Sequence, residues 1–259
     1  MLDRIGALRQ ERAALLALCR DLDDAEWQTP SAAKGWRVQD VVAHMASGFH
    51  GVFTPTVLTM MRSKDIERTN DVLVDERRGW APAQTLAEYE RWSGRVISVA
   101  AAVCRTPLAA LRVPLGELGR FPFRLLLVGA FVFDHHTHLR HDIVPALGRP
   151  VPATDANRIA VVLEWMFAVL SNQLRAAGPP WLTENVGITL DGPGGGSWLV
   201  HPNGSVTPGP VDAAVAQIVG TALAFPKWGT RRADWRDCDV RVSGDSDYGS
   251  RFLDELNVV

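Results

Sequence analysis

One stretch constrains this chain more than any other. An apolar run, Leu125-Leu126-Leu127-Val128-Gly129-Ala130-Phe131-Val132-Phe133, passes without a turn signal into Asp134-His135-His136-Thr137-His138-Leu139-Arg140-His141-Asp142. Four of the chain's seven histidines fall here, within seven consecutive positions. Read as one helix, the segment changes from a buried core former into a cluster of metal-ligating side chains. Asp134 and His138 are four apart and His141 lies three further on, so all three share a face, with neighbouring Cβ atoms about 5–6 Å apart. Zinc bonds imidazole nitrogen and carboxylate oxygen at about 2.0–2.2 Å, so one ion can take two of these side chains together. Polar groups in a helix's last turns are also ordinarily solvated, and the segment alone leaves a metal site and a wet helix end both open. His135 and Asp142 fall elsewhere on the wheel, as surface groups or as groups behind the ligands. A third ligand must come from another element, and the remaining histidines are His44, His50 and His201.

The best-placed of these is His44. Val38, Val41, Val42, Met45 and Phe49 form a helical apolar stripe in a second helix that opens near Trp36 or Arg37. His44 sits at the edge of that stripe beside Ser47 and Gly48, whose small side chains leave room for a partner helix. His50 lies almost opposite. Before this helix, Ile5, Leu8, Leu15, Cys19 and Leu22 mark an amphipathic first helix, and Gln84 to Cys104 makes a third. Between them, Thr56 to Arg68 is expected as a helix, with Asn70 to Arg78 as its tail and a loop. Arg77-Arg78 reads as solvated charge, or as a bidentate partner for a substrate carboxylate. Residues 114–120 read as a loop, and Pro122 pre-sets the first turn of the fourth helix. Four long helices with loops between them describe a bundle, and metal sites in bundles are built from facing helices.

Gly148-Arg149-Pro150-Val151-Pro152 divides the chain into two expected domains, residues 1–148 and 153–259. The second is expected to be a small α+β domain, making the whole an α+β chain. It begins with a helix from Asp155 to Ala177. Val186-Gly187-Ile188-Thr189-Leu190 and Ser197-Trp198-Leu199-Val200-His201 then read as strands joined through Asp191-Gly192-Pro193-Gly194-Gly195-Gly196. A phosphate-cradling glycine turn would have to open a helix, and here a strand follows, so a hairpin turn is expected. Val211 to Ala224 reads as a helix, Asp239 to Val242 as a strand, and Asp247 to Leu256 as the last helix.

Composition limits the partners. With a net charge of −2 and a pI near 6.4, the chain lacks the basic footprint of a nucleic-acid binder. No uninterrupted apolar run reaches the roughly 18–20 residues of a membrane span, and Met1-Leu2-Asp3-Arg4 has no signal-peptide layout. Cys19, Cys104 and Cys238 are widely spaced and odd in number. They form neither a metal pair nor a disulfide framework, which fits small buried residues in a reducing cytoplasm.

The stretches Gly35-Trp36-Arg37-Val38-Gln39-Asp40-Val41-Val42-Ala43-His44 and Phe133-Asp134-His135-His136-Thr137-His138-Leu139-Arg140-His141-Asp142-Ile143 resemble the mycothiol-dependent maleylpyruvate isomerase family. Val240-Arg241-Val242-Ser243-Gly244-Asp245, with Phe252-Leu253 after it, resembles the family more weakly. The resemblance implies a DinB-like four-helix bundle ahead of the C-terminal α+β domain. It also implies a divalent metal, typically zinc, held by the helix-two histidine and by a carboxylate and histidine four apart on the fourth helix. Those positions are His44, Asp134 and His138, with His135 and His141 as alternative ligands. The family pattern has a longer glutamate where this chain has Asp134. Three protein ligands leave a coordination position open, where a thiol would lose its proton to the metal's charge. In the isomerase, the resemblance implies that this thiolate adds to a cis double bond, rotation follows, and elimination gives the trans isomer.

The expected function is therefore that of a cytoplasmic isomerase or thiol transferase using mycothiol on a small electrophilic substrate, as a monomer or homodimer. Arg77, Arg78 and Arg140 are the candidates for anchoring a substrate carboxylate or the thiol's polar groups. The alternative is a non-catalytic bundle that binds metal or ligand as a sensor or docking module, since fold does not fix function.

Overall fold

The structure is a computed structural model that describes residues 2–258. The chain forms two compact units, Asp3–Ala153 and the residues from Thr154 onward. The first is helical: α1 (Arg4–Arg20), α2 (Asp24–Gln28), α3 (Val38–Gly51), α4 (Thr56–Arg62), α5 (Ile66–Asp75), α6 (Pro82–Val103) and α7 (Ala130–Thr137). A two-stranded antiparallel hairpin, β1 (Arg112–Pro114) with β2 (Arg120–Pro122), joins α6 to the fourth long helical segment. Where the sequence suggested a loop over 114–120 and helix from Pro122, the chain pairs Pro114 with Arg120 and Arg112 with Pro122. Gly116 and Gly119, both at positive φ, let so short a connection close. The region 56–78 is likewise two short helices, α4 and α5, broken between Arg62 and Ile66, with Asp65 capping the second.

The core of this unit lies around α3, which packs on α6 and α5. Val38, Val41, Val42, Ala43, Met45, Ala46 and Phe49 are all buried, as the stripe requires. Phe49 stacks on Phe131 of α7 at 4.2 Å between ring centroids and meets Tyr89 of α6 at 5.9 Å. Burying each such side chain contributes about 1.5–3 kcal/mol.

The histidine-bearing helix is not uniform. Its first turns, Leu125–Gly129, and its last, His138–Ile143, are π-helical, with regular α-helix only between them. The amides of Ala130 and Val144 donate to Leu125 and Leu139, five residues back in each case. Such widened turns are rare and concentrate at functional sites.

The second unit begins with α8 (Ala156–Ala177), capped by Asp155 and ended by Gly178 in the left-handed region. Then come β3 (Val186–Asp191), β4 (Gly196–Val200), β5 (Val206–Pro208), β6 (Ala216–Thr221), α9 (Phe225–Trp228), β7 (Arg241–Gly244) and α10 (Ser246–Glu255). The five strands lie in the order β5-β4-β3-β6-β7, with only β3 and β6 parallel. The glycine-rich segment after β3 is a hairpin turn, pairing Leu190 with Gly196. The expected helix over 211–224 is replaced by β6. Its alanines favour helix locally, but Ala216 and Ile218 are fully buried and the segment pairs on both edges, so tertiary pairing overrides propensity. By length and mean hydropathy α8 could cross a membrane, yet just over half of its apolar stretch, 56%, is buried, with Val161, Val162, Leu163 and Met166 in the core. The whole is an α+β fold with a helical N-terminal unit.

Candidate metal centre

Three side chains from two elements converge in the N-terminal unit. One potential ligand atom from each of His44, Asp134 and His138 lies within 4.8 Å of the other two. Local sequence explains the arrangement. Asp40 accepts the Arg37 amide at 2.9 Å and starts α3 at Val38, which sets His44 on the face toward the fourth helix. Asp134 and the C-cap residue His138 are four apart on the regular α7 turn, the spacing that stacks side chains. His44 and His138 are nearly buried, and the Asp134 side chain keeps 30% of its surface exposed, so solvent reaches the group.

The residues present fit a divalent cation. His44 Nε2 stands 3.3 Å from Asp134 Oδ2, and a tetrahedral site with ligand bonds of about 2.0–2.2 Å has edges of about 3.3–3.6 Å. His138 Nδ1 donates to Asp142 Oδ2 at 2.7 Å, which leaves Nε2 as the ring nitrogen with a free lone pair. At this separation His44 Nε2 either donates a proton to the carboxylate or shares a cation with it, and the same two atoms serve both arrangements. Buried His44 Nδ1 has no hydrogen-bond partner among the described residues, so this ring is held through its Nε2 side, the one that faces Asp134. Burial works to raise the Asp134 pKa, but the hydrogen bond and charge of His44, with the charges of His138 and His135, outweigh it and hold the carboxyl at about 2. An anion facing two imidazoles is a suitable donor set for zinc.

The other candidates go elsewhere. His135 is wholly buried, packed against Phe49 and Tyr89, with Nδ1 donating to the Phe131 carbonyl at 2.6 Å. It is a core residue and not a surface group. Burial, outweighing the Asp134 charge and that hydrogen bond, pushes its pKa down to about 4. His141 is not part of the cluster, although a regular helix would place it on that face. The π-helical turn that begins at His138 puts Asp142 against the His138 ring in its stead. His50 pairs with Glu88 at 2.7 Å and stacks on Trp92 at 4.4 Å, beside a separate open hollow lined by Phe53, Arg91 and Arg95.

The three arginines are already engaged. Arg77 is buried and clamps Glu88 bidentately, at 2.7 and 2.9 Å. Arg78 bonds Asp75 and the buried Asp40. Burial alone would raise the Asp40 pKa, but hydrogen bonds from Arg37 and the charges of Arg37 and Arg78 hold it below the usual carboxylate range. Arg140 is buried against Glu11 of α1 at 2.7 Å and donates to the carbonyls of Pro152 and Ala153.

Residue types alone did not single out Trp36. Its indole packs 5.1 Å from the His44 ring and 6.3 Å from His138, while Nε1 donates to Asp71 of α5 at 3.0 Å. It walls one side of the cluster. Its position two residues before the start of α3, next to a glycine, was the available signal.

Residues 8–143 match the family described as the mycothiol maleylpyruvate isomerase N-terminal domain, and the chain belongs to that family. In overall structure it is similar to the crystal structure of a mycothiol-dependent maleylpyruvate isomerase, with a TM-score of 0.59 at 16% identity, covering 94% of this chain and 93% of that one. A crystal structure of a histidine-to-alanine mutant of that isomerase matches over the same shares, with a TM-score of 0.56 and 16% identity. A comparison with curated proteins finds no match. At this identity the structural likeness establishes the fold.

Proposed function

We propose that the N-terminal unit holds a divalent cation, zinc by preference, on His44, Asp134 and His138. We further propose that the protein uses mycothiol, or a related low-molecular-weight thiol, to isomerise or conjugate a small electrophilic substrate. The observation that carries this reading is the convergence of the three ligand atoms from two helical elements within 4.8 Å. When bound, a cation with three protein ligands supplies an open coordination position and a positive charge that favours thiolate over thiol.

The chain's own residues do the rest. Asp134, held at about 2, stays ionised throughout the working pH range and supplies the negative charge of the donor set. Trp36 packs beside both imidazoles and covers that flank of the cluster. The protein's own thiols are not poised to replace a diffusible one. Burial, with a smaller contribution from Glu90, pushes Cys19 up to about 12, and burial raises Cys104 and Cys238 as well. Thiolate is the reactive form, so the sulfur chemistry calls for a thiol from solution. The three free cysteines also support placing the protein in the reducing cytoplasm.

Metal analysis of untagged protein, with and without His138→Ala, tests the site, and mycothiol-dependent turnover of maleylpyruvate or a model electrophile tests the chemistry. Stoichiometric zinc lost in the variant, together with thiol-dependent product, is the expected result. Negligible zinc in both proteins would sink the metal reading. Zinc and thiol binding without product would make the bundle a sensor or docking module.

A further inference from the structure

We infer that Asp142 is the positioning residue of this metal site: its hydrogen bond to His138 Nδ1 fixes the tautomer and ring angle with which His138 presents Nε2. The inference rests on the metal reading above and extends it to a side chain that would not itself touch the ion. Asp142 is buried, with 1% of its surface exposed, and its Oδ2 accepts from His138 Nδ1 at 2.7 Å. A buried carboxylate on the far nitrogen of a ligating imidazole makes that ring a stronger donor and forbids the competing tautomer.

The backbone selects Asp142 for this place. On a regular helix, both the third and the fourth residue after His138 would lie near its face. The chain from His138 to Ile143 is π-helical, and in that wider turn Asp142 meets the ring while His141 stays out of the cluster. The widened turn is also tied down from outside, because the Ala32 amide donates to the Asp142 carbonyl at 3.0 Å. Ala32 belongs to the loop that leads into Trp36 and α3. One segment therefore anchors the carboxylate behind His138, carries the indole beside it, and starts the helix that bears His44.

The test uses the full chain as wild type, Asp142→Asn, Asp142→Ala, His138→Ala and the Asp142→Asn/His138→Ala double variant. Zinc affinity is measured by chelator competition, and the visible spectrum of the cobalt-loaded protein reports ligand geometry. Asp142→Asn keeps size and an acceptor oxygen but loses the charge. We expect its zinc affinity to fall about tenfold, and that of Asp142→Ala to fall toward 100-fold, the span usual for groups behind a ligand. The cobalt bands should shift in both, while metal-free Asp142→Asn unfolds at the wild-type urea midpoint. In the His138→Ala background, where chelator competition reads the residual affinity left by the other two ligands, Asp142→Asn should cost nothing further, since its effect passes through that ring. If Asp142→Ala fails to fold, Asp142→Asn decides. Unchanged zinc affinity and cobalt spectrum in Asp142→Asn would overturn the inference while leaving the metal site standing. An equal loss in the His138→Ala background would reduce Asp142 to a general structural role. Wild type that takes up neither zinc nor cobalt would remove the metal reading, and this inference with it.

Discussion

Replacing His135 by leucine separates the buried histidine from the candidate ligands His44 and His138 and gives a signal whose size follows from the structure. The ring is wholly buried and its pKa falls from the ordinary 6.5 to about 4. The unfolded chain therefore binds this proton more tightly than the folded one. The stability gained by burying a neutral ring is complete above about pH 6.5. It is lost as pH falls toward about 4, below which both states are protonated and the loss levels off. At about 1.4 kcal/mol per tenfold difference in proton affinity, the whole effect is roughly 3 kcal/mol. Leucine has nearly the same volume, favours helix, and cannot titrate. Urea unfolding of metal-free wild type and His135→Leu, followed from pH 7.5 to 4, should show the wild type losing roughly 3 kcal/mol more than the variant. The variant should still bind zinc at wild-type affinity, because His135 bonds the Phe131 carbonyl and packs on Phe49 and Tyr89. Parallel stability curves for the two proteins would refute the buried-neutral assignment. Loss of zinc from His135→Leu would return this ring to the ligand set.

Arg140→Met breaks the buried Glu11–Arg140 ion pair and should cost about 3–5 kcal/mol in urea unfolding, with much of it regained in the Glu11→Leu/Arg140→Met double variant. A near-normal urea midpoint with weakened thiol binding would instead make Arg140 a ligand anchor. Gly194→Ala drives a Cβ into the Ala156 carbonyl oxygen at a φ of +81°, so the C-terminal unit should lose about 1–3 kcal/mol in thermal unfolding while zinc affinity stays unchanged. Zinc at about 100 times its dissociation constant should stabilise the N-terminal unit by about 2.7 kcal/mol, read as a rise in Tm that His138→Ala abolishes.

The elements most legible in sequence are those whose spacing follows one regular geometry. The stripe from Val38 to Phe49 predicts α3, and every one of those apolar residues is buried. The strand β6 was hidden because the alanines around it, Ala213, Ala214, Ala222 and Ala224, favour helix locally, and only pairing with β3 and β7 decides otherwise. Arg140 and Glu11 are 129 positions apart. Nothing local to Arg140 distinguishes a guanidinium that ties two helices together from one that waits for substrate.

The candidate metal site shows the same division on the scale of a single turn. Asp134 and His138 are bridged by regular α-helix, with the His138 amide donating to the Asp134 carbonyl, so the four-residue rule applies to them. After His138 the chain enters the π-helical turn, where Asp142, again four residues on, meets the ring and His141, three on, stays out of the cluster. A π turn has no strong residue signature, because it reflects how the neighbouring segments hold the backbone. Here the Ala32 amide, more than a hundred residues earlier in the chain, holds the carbonyl of Asp142 itself. The two candidate ligands on the fourth helix, and Asp142 behind one of them, follow the four-residue spacing, while the choice of Asp142 over His141 goes with a widened turn that a contact from a distant loop holds.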